Sequence, residues 1–348
     1  MKKTLLFALS LLSLPMSSQT EVTEYRAGLT PEGITYFLPQ TRLHLTLTAT
    51  CTTVTPGEYA PYAQLFLRTD VPQKPCQEWQ LNTLTVQRYG VADPAQAYSI
   101  KLKPKTSAPL VTLTADGCLL SVNATVEQPG ELSVPGERVL EEAVGNPQDS
   151  KTPEILAAGS PLKAAEIAAG EIYNVRESRL TISKGEADYM PADGAQMQLM
   201  MDNLNKQEAG LLSLFKGTTT KKEKTFTLDV TPTENSEKVL FRFSKDEGLL
   251  PADATKGVAY SLVVTNETAA KDSVSEGAKK STNDLRYRVP GVARVVIKDG
   301  NGQILYNATI PVAQFGRVER LGGDVFNKKM ATQVFFDATT GGVKEIKY

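Results

Sequence analysis

Leu43, Leu45, Leu47 and Ala49 alternate with Arg42, His44, Thr46 and Thr48. A period of two sends successive side chains to opposite sides of a pleated strand, so this segment carries one apolar and one polar face. Strand rhythm continues from Ile34 to Val126. Leu110 to Thr114, Ala115-Asp116-Gly117 and Cys118 to Val122 predict a β-hairpin with a three-residue turn. The rhythm returns from Lys224, where Phe226, Leu228 and Val230 alternate, as do Val239, Phe241 and Phe243. Val292 to Lys298 and Gln303 to Ile310 flank Asp299-Gly300-Asn301-Gly302, and Gln333 to Tyr348 is organised around Thr339-Thr340-Gly341-Gly342. Both read as hairpins.

Between the two strand blocks the period changes to that of a helix. Ala165, Ala168, Ile172, Val175 and Arg179 form one stripe, and Met197, Met200, Met201, Leu204, Leu211 and Phe215 form another. Asp193 with Gln196 resembles a capping box, and Gly217 stands where a glycine closes a helix. These signals predict an αα-hairpin with arms of about 20 residues, roughly 30 Å long. Residues 127–160, punctuated by Pro129, Pro135, Pro147 and Pro153, read as a linker, and residues 267–284 as a mobile loop. The expected fold class is β-rich α+β, with two β-sandwich-like domains and an α-helical hairpin between them. The expected boundaries are 1–19 for a signal peptide, 20–126 for an N-terminal β-domain, 127–160 for the linker, 161–217 for the hairpin and 218–348 for a C-terminal β-domain.

The signal peptide rests on Lys2 and Lys3, the apolar stretch Thr4 to Leu14, the break at Pro15 and the small residues Ser17 and Ser18. A membrane span needs about 20 apolar residues, nearly twice this stretch. The first cysteine is Cys51, so no lipoprotein attachment site is expected, nor any membrane span in the mature chain. The expected location is periplasmic or secreted.

With 38 basic and 39 acidic side chains and no long basic run, the chain lacks the footprint of a nucleic-acid binder. A single histidine rules out H-E-x-x-H chemistry and leaves His44 as the only base for a Ser-His-Asp triad, with no G-x-S-x-G elbow to serve it. The alternation turns His44 toward solvent, which makes it replaceable by alanine. Ser213-Leu214-Phe215-Lys216 matches S-x-x-K without its partner motifs. Asp299, Asn301 and Gln303 imitate a calcium loop but lack its Gly and its closing Glu. Cys51, Cys76 and Cys118 lack the close pair of a zinc site. They are read as small buried hydrophobes or, in an exported chain, as one bridge between Cys51 and Cys76 with one thiol over. Trp79 is read as core. No catalytic residue, metal or cofactor is assigned.

Three charges interrupt the helical stripes. Glu208 falls within the apolar stripe of the second helix, and Arg176 and Arg179 within that of the first. A pairing of Glu208 with one of these arginines is expected, and the three are the candidate binding residues. A loop centred near Asp188 and Tyr189 would place Arg176 opposite Met201, leaving Glu208 roughly 10 Å further along.

Several segments together resemble a Bacteroidota-type family of exported proteins that carries a domain of unknown function. They are Gly33 to Pro39, Pro56 to Ala60, Tyr89 to Pro94 with Ala97-Tyr98, Ala108 to Val111, and the helical run Tyr173 to Gly217. The resemblance implies an envelope or secreted location and supplies no activity. The expected role is a non-catalytic binding or assembly module of the bacterial cell envelope, with an envelope protein or glycan as partner. The alternative is a hydrolase acting on glycans or peptides through paired carboxylates.

Overall fold

The computed structural model describes residues 21–27, 30, 33–101, 111–141, 147–187, 193–269, 284–322, 325 and 332–348. The expected signal peptide and most of the expected mobile loop lie outside the described residues. In chain order the strands are β1 (Glu21–Glu24), β2 (Gly33–Thr55), β3 (Cys76–Lys101), β4 (Val111–Leu113), β5 (Leu119–Val122), β6 (Arg138–Glu141), β7 (Thr218–Val230), β8 (Ser236–Ser244), β9 (Gly248–Leu250), β10 (Val258–Asn266), β11 (Leu285–Asp299), β12 (Ile304–Leu321), β13 (Gln333–Phe336) and β14 (Val343–Lys347). The helices are α1 (Ala63–Leu67), α2 (Pro153–Leu156), α3 (Pro161–Lys184) and α4 (Gly194–Lys216). The protein is β-rich α+β.

Three antiparallel sheets form, ordered β1-β3-β2-β7-β6, β12-β11-β10-β8-β9 and β14-β13-β5-β4. The hairpins β4–β5, β11–β12 and β13–β14 pair where the turn residues predict them. At the β11–β12 turn, Asp299 Oδ1 accepts from the backbone N–H groups of Asn301 and Gln303, which occupies the oxygen that a calcium loop would offer its ion. The division into an N-terminal and a C-terminal β-domain is corrected by the pairing. Strand β7, which follows the helices, lies against β2 from Leu43 to Thr55, and β13 from the C-terminus pairs with β5. Strands from both blocks share the first and third sheets.

The physical reason is β2. Its 23 residues are too long for one core, so it serves two. Leu43, Leu45, Leu47 and Ala49 face Phe241, Leu262, Val295 and Ile297 of the second sheet, with Trp79 buried among them as expected. Tyr36 and Leu38, beyond an irregularity between Phe37 and Pro39, pack instead with Leu119, Val122, Val334 and Phe336 of the third sheet.

A third core holds the helices. Ala165, Ala168, Ile172 and Val175 of α3 meet Leu211, Leu214 and Phe215 of α4. Ser160 caps α3 by accepting from Lys163 N, and Asp193 caps α4 by accepting from Ala195 N. The linker reading of 127–160 is also corrected. Ile155 is buried in the helical core, Lys151 pairs with Glu58 at 2.6 Å, and β6 extends the first sheet. Gly217 (φ +78°) ends α4 where a Cβ would lie 1.8 Å from Thr55 O, so only glycine lets the helix abut the end of β2.

Candidate functional site

A cleft of about 510 Å³ opens where the three sheets meet. Strand β3 contributes Arg88, β11 contributes Tyr287 to Pro290, β12 contributes Pro311, and the β13–β14 hairpin contributes Asp337, Thr339, Thr340 and Gly342 to Lys344. The hairpin turn is built by its own sequence. Asp337 Oδ1 accepts from Thr339 N, Thr340 N and Thr340 Oγ1, the local bonding that suits aspartate to turns. Gly341 takes φ +72° and donates its N–H to Asp337 O. Thr41 then ties this turn to both larger sheets. Fully buried on β2, it donates from Oγ1 to Thr339 O at 3.0 Å and accepts from Ala313 N at 2.9 Å. Across β3 the turn lies so close to Gly90 that a Cβ there would sit 2.0 Å from Ala338 O. The cleft wall is therefore fixed by backbone contacts.

Charge in the cleft is unevenly compensated. Arg288 is buried, with Nη2 2.6 Å from Asp93 Oδ2 and Nη1 donating to Ala313 O at 3.3 Å. Its Nε is buried without a hydrogen-bond partner among the described residues. Burial pulls the Arg288 guanidinium below its usual pKa, and Asp93 opposes that effect. Arg88 and Lys344 are exposed and form no ion pair among the described residues. Tyr287 turns its hydroxyl away, donating to Glu319 Oε2 at 3.0 Å. The lining therefore combines two exposed cations without ion-pair partners among the described residues, a buried arginine held by Asp93, one aspartate and the apolar surfaces of Val289, Pro290, Pro311 and Val343.

The candidate residues from the sequence meet elsewhere. Glu208 is buried on α4, and both its oxygens are engaged: Oε1 with Arg176 Nε and Oε2 with Arg179 Nη1, each at 2.6 Å. Arg179 Nη1 also donates to Asn205 Oδ1 at 2.8 Å. Burial alone would raise the Glu208 pKa, but the two guanidinium groups hold it below the usual carboxylate value. These contacts join α3 to α4 beside the helical core, in a different layer from the cleft.

His44 requires a correction. It is 6% exposed, with Nδ1 2.8 Å from Asp229 Oδ1, its ring edge toward Tyr89, and Nε2 buried without a partner. The alternation correctly separates Leu43 and Leu45 from His44. It fails on exposure because β2 is an inner strand, and side chains from β3 and β7 cover its second face.

The Cys51–Cys76 bridge is also corrected. Cys51 stands opposite Trp79 and Cys76 opposite Val54, three positions along the ladder and about 10 Å apart. A disulfide needs Cα atoms within about 7 Å. All three thiols are free; Cys51 and Cys118 are buried, and burial is the largest effect pushing Cys118 up to about 12. No group of three or more His, Cys, Asp or Glu positioned for a metal occurs among the described residues.

Arg88, Arg288 and Lys344 escape sequence reasoning because they stand on three strands far apart in the chain. The legible signal was the Thr339-to-Gly342 turn, which specifies a hairpin without saying what it faces. Among the described residues no helix is long and apolar enough to cross a membrane. No curated protein and no solved structure matches the chain. A family model described as a domain of unknown function, DUF4831, matches residues 32–344, a span that includes every residue of the cleft and of the helical charge cluster. The chain belongs to the family defined by this domain of unknown function.

Proposed function

We propose that the protein is a non-catalytic, exported binding module of the bacterial cell envelope, and that the cleft at the meeting of the three sheets is its binding site. The carrying observation is the cleft wall. Thr41, Gly90 and the Asp337 turn hold it rigid, which lowers the ordering cost of binding, while Arg88 and Lys344 stay uncompensated at its mouth. The volume falls within the range of about 300–1,000 Å³ typical of small-molecule sites.

Export is supported by Lys2, Lys3 and the apolar stretch that ends at Pro15. In finer architecture we read the first two sheets as one sandwich around a shared core, with α3 and α4 as a helical hairpin docked at the end of β2. The charge cluster of Arg176, Arg179 and Glu208 then fixes the helices and takes no ligand.

The test uses the full chain in a Gram-negative host, with a photo-crosslinking residue in place of Val343, an uncharged lining residue. Recovery from the periplasm with Thr20 as the first residue, together with a cross-linked envelope component, is expected. An unprocessed chain confined to the cytosol would overturn the reading of export. A processed chain whose position 343 links to nothing would overturn the reading of the cleft.

A further inference from the structure

Resting on that reading of the cleft, we infer that it takes a singly charged carboxylate carried on a sugar ring, a ligand of the uronic-acid class. Charge balance comes first. Asp93 neutralises Arg288, so the remaining charges are Arg88 and Lys344 against Asp337, one net positive charge for a ligand to meet. A monoanion satisfies that balance, whereas a phosphate dianion would exceed it.

Donor geometry comes second. Arg288 spends its guanidinium on Asp93 and on Ala313 O, and its Nε is buried out of a ligand's reach, so the cations left to a ligand are Arg88 and Lys344. Arg88 is the cross-strand partner of Leu43, so its charge sits on the core-facing side of β3, beyond the reach of β1, which pairs only with Tyr98 to Lys101. An inward-pointing charge on an open strand edge can serve merely to block edge pairing. Here Arg88 and Lys344 both line the cleft without an ion-pair partner among the described residues, which leaves two cations for a carboxylate to meet.

The walls come third. Pro290 and Pro311 have no N–H, so this part of the lining cannot bind an extended peptide by adding it as a strand. Their flat aliphatic rings, with Val289 and Val343, suit the C–H face of a pyranose, and the Thr339 hydroxyl can serve a ring hydroxyl.

Calorimetry on the full chain tests this with methyl galacturonoside, methyl galactoside, an acetylated tripeptide with a free C-terminus, and inorganic phosphate as probes. Methyl galacturonoside, a monoanion at neutral pH, should bind at least about tenfold more tightly than the uncharged galactoside, a difference that added salt reduces. Arg88→Gln and Lys344→Gln are exposed changes that leave the fold intact, and each should weaken methyl galacturonoside by about three- to fivefold. Arg88→Lys should restore most of the loss at position 88. Equal affinity for the uncharged sugar would overturn the carboxylate inference while leaving the cleft as a binding site. Tighter binding of the tripeptide or of phosphate would overturn the ligand class. No binding of any probe overturns the inference, while the cross-link at position 343 decides separately whether the cleft is occupied in cells.

Discussion

Arg288 Nη2 and Asp93 Oδ2 lie 2.6 Å apart although 195 positions separate the two residues in the chain. The pair joins β11 of the second sheet to β3 of the first, and both side chains are largely shielded from water. Burying two charges is costly, so the arrangement survives only while each partner compensates the other.

Asp93→Ala should therefore cost about 3–5 kcal/mol, because Arg288 keeps its charge in a buried place with nothing to balance it. Urea unfolding of both proteins measures the difference. Replacing Arg288 by Met as well should recover much of the loss, since an apolar side chain needs no counter-charge. A loss under about 1 kcal/mol for the single variant would mean that the pair is solvated.

The thiols should divide by burial. Cys76 is exposed, while Cys51 and Cys118 are buried, and Cys51 Sγ also accepts from Gln77 Nε2 at 2.8 Å. Ellman's reagent at pH 8 should find one fast-reacting thiol in the native protein, and all three should react in guanidinium. Cys76→Ser should abolish the fast phase. Only one reactive thiol after denaturation would show a bridge and contradict the strand register.

Local signals were the legible part of this fold. Alternation at Leu43 to Ala49, the turns at Asp299 and Thr339, and the two helical stripes, the second ending at Gly217, all depend on neighbours within a few residues. What escaped depends on distance. Nothing near β2 in the chain announces that β7 will lie beside it or that its two ends will serve different cores. Thr41 illustrates the limit: a threonine on a predicted strand carries no sign that it will bind Thr339 and Ala313. The helical cluster was half legible. The expected 10 Å offset between Arg176 and Glu208 is closed by side-chain direction. Each side chain leans toward the N-terminus of its own helix, so across antiparallel helices the arginine reaches away from the tip and the glutamate toward it.

Burial also reverses what the sequence implied for His44. His44→Ala should destabilise the protein by about 1–3 kcal/mol, since it removes a buried hydrogen bond and opens space beside Tyr89. Asp229→Asn should cost less, because that side chain is half exposed and the amide can still accept from Nδ1. Thermal unfolding distinguishes the two. A neutral His44→Ala would return the residue to the solvated role implied by simple alternation.

Glu208→Gln should lower stability by about 1–3 kcal/mol at neutral pH, because the charged hydrogen bonds to Arg176 and Arg179 are lost while the shape is kept. The effect should depend on pH in a defined direction. The folded-state pKa of Glu208 is lowered from 4.5, so the carboxylate binds its proton less readily folded than unfolded. Its contribution is fully present above the unfolded value, declines as pH falls below about 4.5, and is lost once pH drops through the lowered folded value. Glu58, held down by Lys151 and Gln148, should behave in the same sense. Comparing wild type with Glu208→Gln by urea unfolding between pH 7 and pH 3 isolates the Glu208 part. The gap between the two proteins should narrow steadily below about pH 4.5. A gap that stays constant with pH would mean that Glu208 contributes packing alone, and that its two arginines are spectators on the surface of the helices.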